Sequence, residues 1–454
     1  MSETPVPPGL DATQPVGADS KTARGPLVLF SAGDFAFNIY WQAISLYLLF
    51  YYIDALALPP ATAGLVFMIG AVWDGVADVC AGAVVDRSRL SYRRLVGWGA
   101  LPLGMAFVAM FAVPAFTVPA FAVPVGTALW ALAAQMLFRT AYAFTNIPYA
   151  AWTTRIAQSS ADRSLVAGFR MGFGAAAGIL VALALPRLVE ITGSYGGATA
   201  LLAAAGVPLL AAIAWRVPEP IPAAVAVERP GVLVALGALG RNRAFVMLNV
   251  AVAFGSAATA LTSQSVLYVF RYVLGDVQGG PRALAGMAVG SLIAVPVWTL
   301  LARARGARTA WIGAGLLALT LPVGFALVAA PGSTATAAFL FAMQAAFVGF
   351  GIASWTLLPD TVDWGEARGG LRVEALAFGT FALVQKVALA ATGFAIGAVY
   401  QANGFVAGVA QAPDSLRAIR WLMLAGPVVL IAAMLAAVIA IPLRRDTLSG
   451  LRRA

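Results

Sequence analysis

The sequence predicts an all-α membrane protein of twelve spanning helices in two six-helix bundles, and three observations carry that prediction. The 454 residues are 61% apolar and 11% charged, whereas soluble chains run at about 45–50% and about 25%. Roughly 277 apolar residues, at the ~20 each spanning helix needs, fill about a dozen spans and leave no room for a sizeable soluble domain. The apolar stretches also recur as two sets of six around a more polar centre.

Residues 1–24 are rich in Pro, Gly and polar side chains and read as a disordered cytoplasmic tail, not a signal peptide. Residues 25–216 form the first bundle, with spans near 26–53, 60–85, 96–118, 122–153, 165–187 and 196–216. Tyr47, Tyr51 and Tyr52 at the end of span one read as an aromatic belt. Gly168, Gly172, Gly174 and Gly178 in span five read as a close-packing surface. A central cytoplasmic loop takes 217–242. Residues 243–443 form the second bundle, with spans near 243–273, 284–303, 308–330, 335–358, 373–400 and 418–442, and 444–454 is a cytoplasmic tail.

Arginine placement orients the bundle. One side collects Arg24, Arg87, Arg89, Arg93, Arg94, Arg155, Arg163, Arg216 and most of the others, while the opposite side has Arg187, Arg271, Arg282, Arg417 and Arg420. The positive-inside rule then sets both termini in the cytoplasm, across the cell's inner (plasma) membrane. The net charge of +10 is therefore a topology signal, and nucleic acid is not expected as a partner. DRSRLSYRR and RARGAR follow the second span of each half, a weak parallel repeat that suits a two-bundle transporter with its site between the halves. Lactose-permease-like carriers of the major facilitator superfamily have this plan.

Histidine is absent and Cys80 is the lone cysteine, so imidazole chemistry, internal disulfides and thiolate metal clusters are excluded. No cofactor or catalytic residue is expected. The informative residues are charges at membrane depth, where each costs at least ~2.5 kcal/mol on insertion scales. Span one carries Asp34, Asn38, Trp41 and Gln42; span two carries Asp74 and Asp78, one helical turn apart; span four carries Arg139, Tyr142, Thr145 and Asn146 before Pro148; span eleven carries Gln385 and Lys386. Counted at about 1.5 Å per residue from the basic ends, Asp74 lies ~18 Å deep, Asp34 ~15 Å, Asn146 ~14 Å and Arg139 ~24 Å.

Two carboxylates one turn apart repel in a low dielectric, so either one is protonated or a cation sits between them. That makes Asp74 and Asp78 a candidate coupling site, against a static salt bridge to Arg139 or Lys386. Arg139 is a candidate internal counter-ion: pinned at positive charge, it can pair with Asp74 and stand in for a metal cation, leaving proton coupling or uniport. Arg139 can alternatively meet an anionic substrate such as a uronate. Tyr40, Trp41, Tyr142, Tyr149 and Tyr268 can offer aromatic faces to a polar ring.

The motifs resemble the glycoside–pentoside–hexuronide:cation symporters, relatives of melibiose permease. GDFAFNIYW with LYLLFYYID resembles the family's first helix, and WDGVADVCAGAVVDRSR its second helix and basic loop. NIPYAAW, ADRSLVAGFRMGFG and LPDTVDWGEARGGLRVEALAF resemble its fourth-to-fifth and tenth-to-eleventh regions. The resemblance implies symport of a sugar-like solute with Na⁺ or H⁺, by a monomer in contact with membrane lipid. It implies cation ligands at Asp74 and Asp78 and a sugar-binding carboxylate at Asp34. Asn38, Trp41, Tyr142, Asn146, Tyr149, Arg170, Tyr268 and Lys386 complete the candidate substrate site, and Arg163, Asp360, Asp363 and Arg372 a cytoplasmic gate. The sequence departs from the pattern at Asn146, where the family has a second sugar-binding aspartate, and at Ala150 and Ala143, in place of a tryptophan and a threonine cation ligand. Arg139 adds an intramembrane cation to it. The alternative cargo on the same fold is a lysolipid or another amphiphile or drug. A non-transporting scaffold or sensor, or an intramembrane enzyme, fits the buried charges less well.

Overall fold

The computed structural model describes residues 24–87, 90–113, 123–157, 160–219, 232–328, 331–369 and 374–443. Both tails and Arg372 lie outside these residues. The first helical run is α1 (Arg24–Ser31), α2 (Gly33–Ala43) and two π-wound segments, Ile44–Leu48 and Tyr51–Ala55. Then come α3 (Pro60–Arg87), α4 (Tyr92–Phe111), α5 (Val123–Ile156), α6 (Ser160–Thr192) and α7 (Tyr195–Arg216). The second half has α8 (Val232–Arg241), α9 (Arg243–Tyr268) with a π-wound end at Val269–Val273, and α10 (Gly279–Arg305). It continues with α11 (Ala307–Ala326), α12 (Ser333–Gly369), α13 (Glu374–Ala402) and α14 (Pro413–Ala440).

Every described element is helical, and ten helices are long and apolar enough to cross a membrane. The run over 24–55 and the 34-residue α5 lie outside that group, the first because it is wound in pieces and the second because polar residues dilute it. The helical ends follow local chemistry. Ser91, Ser194 and Asn242 accept the N–H of Arg94, Gly197 and Phe245, capping α4, α7 and α9. Leu, Val, Ile and Trp side chains such as Trp98, Leu129, Trp215 and Leu300 stand outward, as a lipid-facing surface requires.

Three sequence expectations are corrected. Tyr47, Tyr51 and Tyr52 form no interfacial belt: all three are buried, donating to the Ala182 carbonyl at 2.6 Å, the Phe111 carbonyl at 2.9 Å and Gln135 Oε1 at 3.1 Å. A buried phenol needs such an acceptor, and the π winding carries these rings inward from a helix whose α-helical register does not reveal it. The 217–242 connection is not all loop, because Val232–Arg241 is helical. The span expected to end near 358 runs on, since α12 continues unbroken through Pro359 to Gly369 and carries Asp360 and Asp363 on it.

Helices α1 to α7 pack among themselves, as do α9 to α14, and the two groups meet chiefly where α3 crosses α13 and α6 meets α10. The α3–α13 crossing is built on glycine. A Cβ on Gly397 would lie 2.2 Å from the Pro60 carbonyl oxygen, and one on Gly393 2.5 Å from Phe67. Gly393 and Gly397 have the GxxxG spacing that lets membrane helices approach to backbone distance. Near the same end the groups are tied by Asp54, which accepts from Tyr272 Oη at 2.6 Å and pairs with Arg271 at 3.1 Å. Tyr268 Oη reaches the Leu49 carbonyl at 3.4 Å and Gln278 Nε2 donates to Glu190 at 2.7 Å.

Candidate functional site

The i, i+4 spacing on α3 sets Asp74 and Asp78 one turn apart, and two other helices bring cations to them. Arg139 of α5 lies with Nη1 3.4 Å from Asp74 Oδ2, both side chains 1% exposed. Lys386 of α13 lies with Nζ 2.7 Å from the same oxygen and also hydrogen-bonds Asp78. Two carboxylates and two cations thus form one balanced cluster spanning both halves. Among the described residues Arg139 Nε and Nη2 and both Asp74 oxygens have no directed hydrogen bond, so charge holds this pair. Removing Arg139 or Asp74, the two buried members, costs about 3–5 kcal/mol, because it strands the other. Burial is uneven: Asp78 and Lys386 keep 32% and 21% exposure, while near the Asp74–Arg139 end Ala77, Ala81 and Ala143 pack together with Trp73, Phe144 and Ile147.

A second charged set sits on the same face of the first half. Arg170 of α6 grips Asp34 of α2 in a fork, with Nε to Oδ2 at 2.5 Å and Nη2 to Oδ1 at 3.2 Å, and its Nη1 donates to Thr153 at 3.0 Å. This is the bidentate geometry that suits a guanidinium. Tyr149 has one phenolic proton to share between Asp34 Oδ2 at 2.8 Å and the Phe30 carbonyl at 2.7 Å. Asn38 donates back to the Asp34 carbonyl at 2.8 Å and faces Gly174, where a Cβ would come within 3.1 Å of its amide. Of the four span-five glycines expected to form a close-packing surface, Gly174 and Gly178 do face neighbours, Asn38 and, at 3.4 Å, Gln42. A Cβ on Gly168 or Gly172 would meet nothing within 4 Å, so the expectation is corrected there.

Aromatic rings connect the two sets. Trp41 lies 5.9 Å from Tyr142 and 5.3 Å from the Arg139 guanidinium, and Phe37 touches both Tyr142 and Tyr149. On its other side Trp41 faces two adjoining cavities of about 320 and 300 Å³ between the halves, which share Trp41, Ser45, Thr259 and Ser263 in their walls. Gln42, Ser256, Gln344 and Gln385 supply further neutral polar groups to one or the other. Among the described residues, no charged side chain lines either cavity.

Of the candidate residues, Asp34, Asn38, Trp41, Asp74, Asp78, Arg139, Tyr142, Tyr149, Arg170 and Lys386 are brought into this connected region, and Asn146 is half-buried on α5 one turn from Tyr142. Tyr268 is not brought there. It is fully buried in an aromatic cluster with Tyr272, Tyr400 and Phe405, at the end where the halves are tied. Asp360 and Asp363 lie on the last turns of α12, whereas Arg372 and the Arg163 side chain lie outside the described residues. The cavity residues Ser45, Ser256, Thr259, Ser263 and Gln344 were missed in the sequence. The signal was available on α9, where Ser256, Thr259 and Ser263 recur at steps of three and four, one helix face inside an apolar span.

Comparison with known proteins gives the same fold and class. Residues 29–445 match the family described as MFS/sugar transport protein. An Escherichia coli protein named "Putative glycoside/cation symporter YagG" is 27% identical over 423 residues, covering 89% of each chain. The E. coli "Glucuronide carrier protein homolog" is 28% identical over 415 residues, covering 87% of each. Among solved structures, a D-xylose–proton symporter superposes with a TM-score of 0.64 at 12% identity, covering 92% of this chain and 97% of that one. With the family match spanning nearly the whole described fold, the chain belongs to the MFS/sugar transport protein family and is a membrane transporter, not an enzyme.

Proposed function

We propose that the protein is a secondary active symporter that moves a polar, sugar-like solute together with a cation, by alternating access. One observation carries the solute class: among apolar side chains, the space between the halves presents an indole together with neutral hydroxyl and amide groups. Trp41 offers a flat apolar face to a ring, while Ser45, Ser256, Thr259, Ser263, Gln344 and Gln385 can exchange hydrogen bonds with its hydroxyls. The volumes suit a small solute. The relatives named as glycoside and glucuronide carriers support the same class.

In this reading the tied end, with Asp54, Arg271 and Tyr272, faces outward in accord with arginine placement, both termini are cytoplasmic, and the twelve spans work as a monomer in the inner membrane. Asp34 and Arg170 orient the solute, and the cluster of Asp74, Asp78, Arg139 and Lys386 couples its passage to the cation, because Lys386 joins the halves through a charge contact that must break when they move. Phe347, Phe350 and Leu389 in one cavity and Leu284 and Met287 in the other also give apolar wall, so binding of sugars against lysolipids separates a polar cargo from an amphiphilic one. The large apolar crevice, about 730 Å³ between α9, α13 and α14, shares no lining residue with either cavity. The test is thermal stabilisation of the purified protein by neutral hexoses, pentoses, uronates and lysolipids, followed by uptake of any stabilising solute into vesicles. Saturable stabilisation by a lysolipid and by no sugar or uronate would refute the proposal.

A further inference from the structure

We infer that Arg139 occupies the position a coupling metal cation would take, so that the carboxylate pair on α3 admits neither Na⁺ nor Li⁺ in this protein. The inference rests on the symport reading only for the meaning of the site; its charge and geometry are independent of any solute.

The cluster is already neutral. Asp74 and Asp78 bring two negative charges, and Arg139 and Lys386 bring two positive ones. A bound alkali cation would be a third positive charge beside Asp74, at a position where Arg139 and Asp74 are each only 1% exposed and water screens little. Arg139 cannot step aside by losing its proton, because a guanidinium stays charged in proteins. It is also held: its Cζ lies 5.3 Å from the Trp41 ring, which in turn packs on Tyr142.

The ligand supply points the same way. Hard cations need a shell of several oxygens from carboxylates, carbonyls, hydroxyls or water. At the buried Asp74 end the adjoining turns of α3 and α5 supply Ala77, Ala81 and Ala143 with three large apolar side chains, whereas Asp78 keeps 32% exposure and the charge of Lys386 occupies that side. The hydroxyl nearest in sequence to Arg139, that of Thr140, is committed: it donates to the Met136 carbonyl at 2.8 Å and accepts from Trp73 Nε1 at 3.0 Å. Among the described residues Nε and Nη2 of Arg139 have no hydrogen-bond partner, so this side chain is retained at depth by its charge contact to Asp74. A tethered cation explains its position.

The experiment needs only the full chain and salts. Melting of the purified protein is followed in NaCl, LiCl, KCl and choline chloride at one pH and one ionic strength. The wild type is expected to give the same curve in all four. Arg139→Ala leaves one uncompensated carboxylate and a vacated volume, and is expected to gain saturable stabilisation by Na⁺ or Li⁺. At a salt concentration about 100 times the dissociation constant, the folded-to-unfolded ratio rises about a hundredfold. Arg139→Gln, which keeps shape and drops the charge, is read the same way should the alanine variant not fold, and Arg139→Lys is expected to stay flat. Saturable stabilisation of the wild type by Na⁺ or Li⁺ but not by choline overturns the inference. So does a flat response from a folded Arg139→Ala or Arg139→Gln. Failure of every solute to bind or accumulate would sink the symport reading and leave this salt titration unaffected.

Discussion

Replacing Gly397 by alanine should wedge the two halves apart at their tied end. The added Cβ would sit 2.2 Å from the Pro60 carbonyl oxygen, 3.0 Å from its carbon and 3.2 Å from the Gly64 Cα, all backbone or Cα atoms. Ordinary contact begins at 3.4 Å, so α3 and α13 must separate by about 1.2 Å at the crossing. Rotamer changes cannot absorb this, because no flexible side chain is in the way. Overpacking of this kind costs about 1–3 kcal/mol. Charged against the conformation in which this end is closed, it shifts the balance between closed and open forms by about 5–150-fold. The assay is a spin–spin distance between labels at Ala55→Cys and Val277→Cys, exposed positions on the two halves, in a Cys80→Ala background. The variant should show a longer-distance population and slower uptake. Gly286→Ala, where an added Cβ meets nothing within 4 Å, should leave both readouts as in the parent. Identical distance distributions in the parent and a folded Gly397→Ala would refute the steric argument.

Three further outcomes follow from the charged and aromatic contacts. Asp34→Asn weakens the fork to Arg170 and should abolish uptake while lowering stability by about 2 kcal/mol, less than for a fully buried pair because both side chains keep some exposure; normal uptake in a folded variant would count against a substrate role. Asp54→Ala removes the contacts to Tyr272 and Arg271, about 2 kcal/mol for a charge-assisted bond with a partly exposed partner; amide hydrogen exchange at residues 51–56 should rise about thirtyfold, and unchanged protection would show that these contacts do not hold the end shut. Trp41→Ala should weaken binding of a stabilising solute about tenfold or more, whereas Tyr268→Phe should leave it unchanged; the reverse order in a solute titration would move the site to the tied end.

Some of the site could be read in the sequence because charge in an apolar span is conspicuous. Asp34, Asp74, Asp78, Arg139, Arg170 and Lys386 stand out individually, and the one-turn spacing of Asp74 and Asp78 is a property of a single helix. Partners were less legible. Nothing local to Lys386 says that it meets Asp74 across 312 positions (386 − 74), or that Arg170 takes Asp34 rather than a carboxylate on α3. Tyr268 shows the reverse failure, since an aromatic ring in a span looks alike whether it faces a cavity or a packed cluster.

The sequence by itself determined the class: too many apolar residues for water, arginines gathered on one side, and six costly charges kept within the spans. Composition and helical periodicity are enough for that, because the bilayer forces nearly every backbone group into a helix. Tertiary structure alone decided which charges neutralise which, that the tyrosines ending the first span turn inward, and that neutral hydroxyls and amides line the central space. Those facts depend on how helices far apart in the chain cross. The crossings are set by backbone-to-backbone contacts such as Pro60 against Gly397, which no single helix encodes.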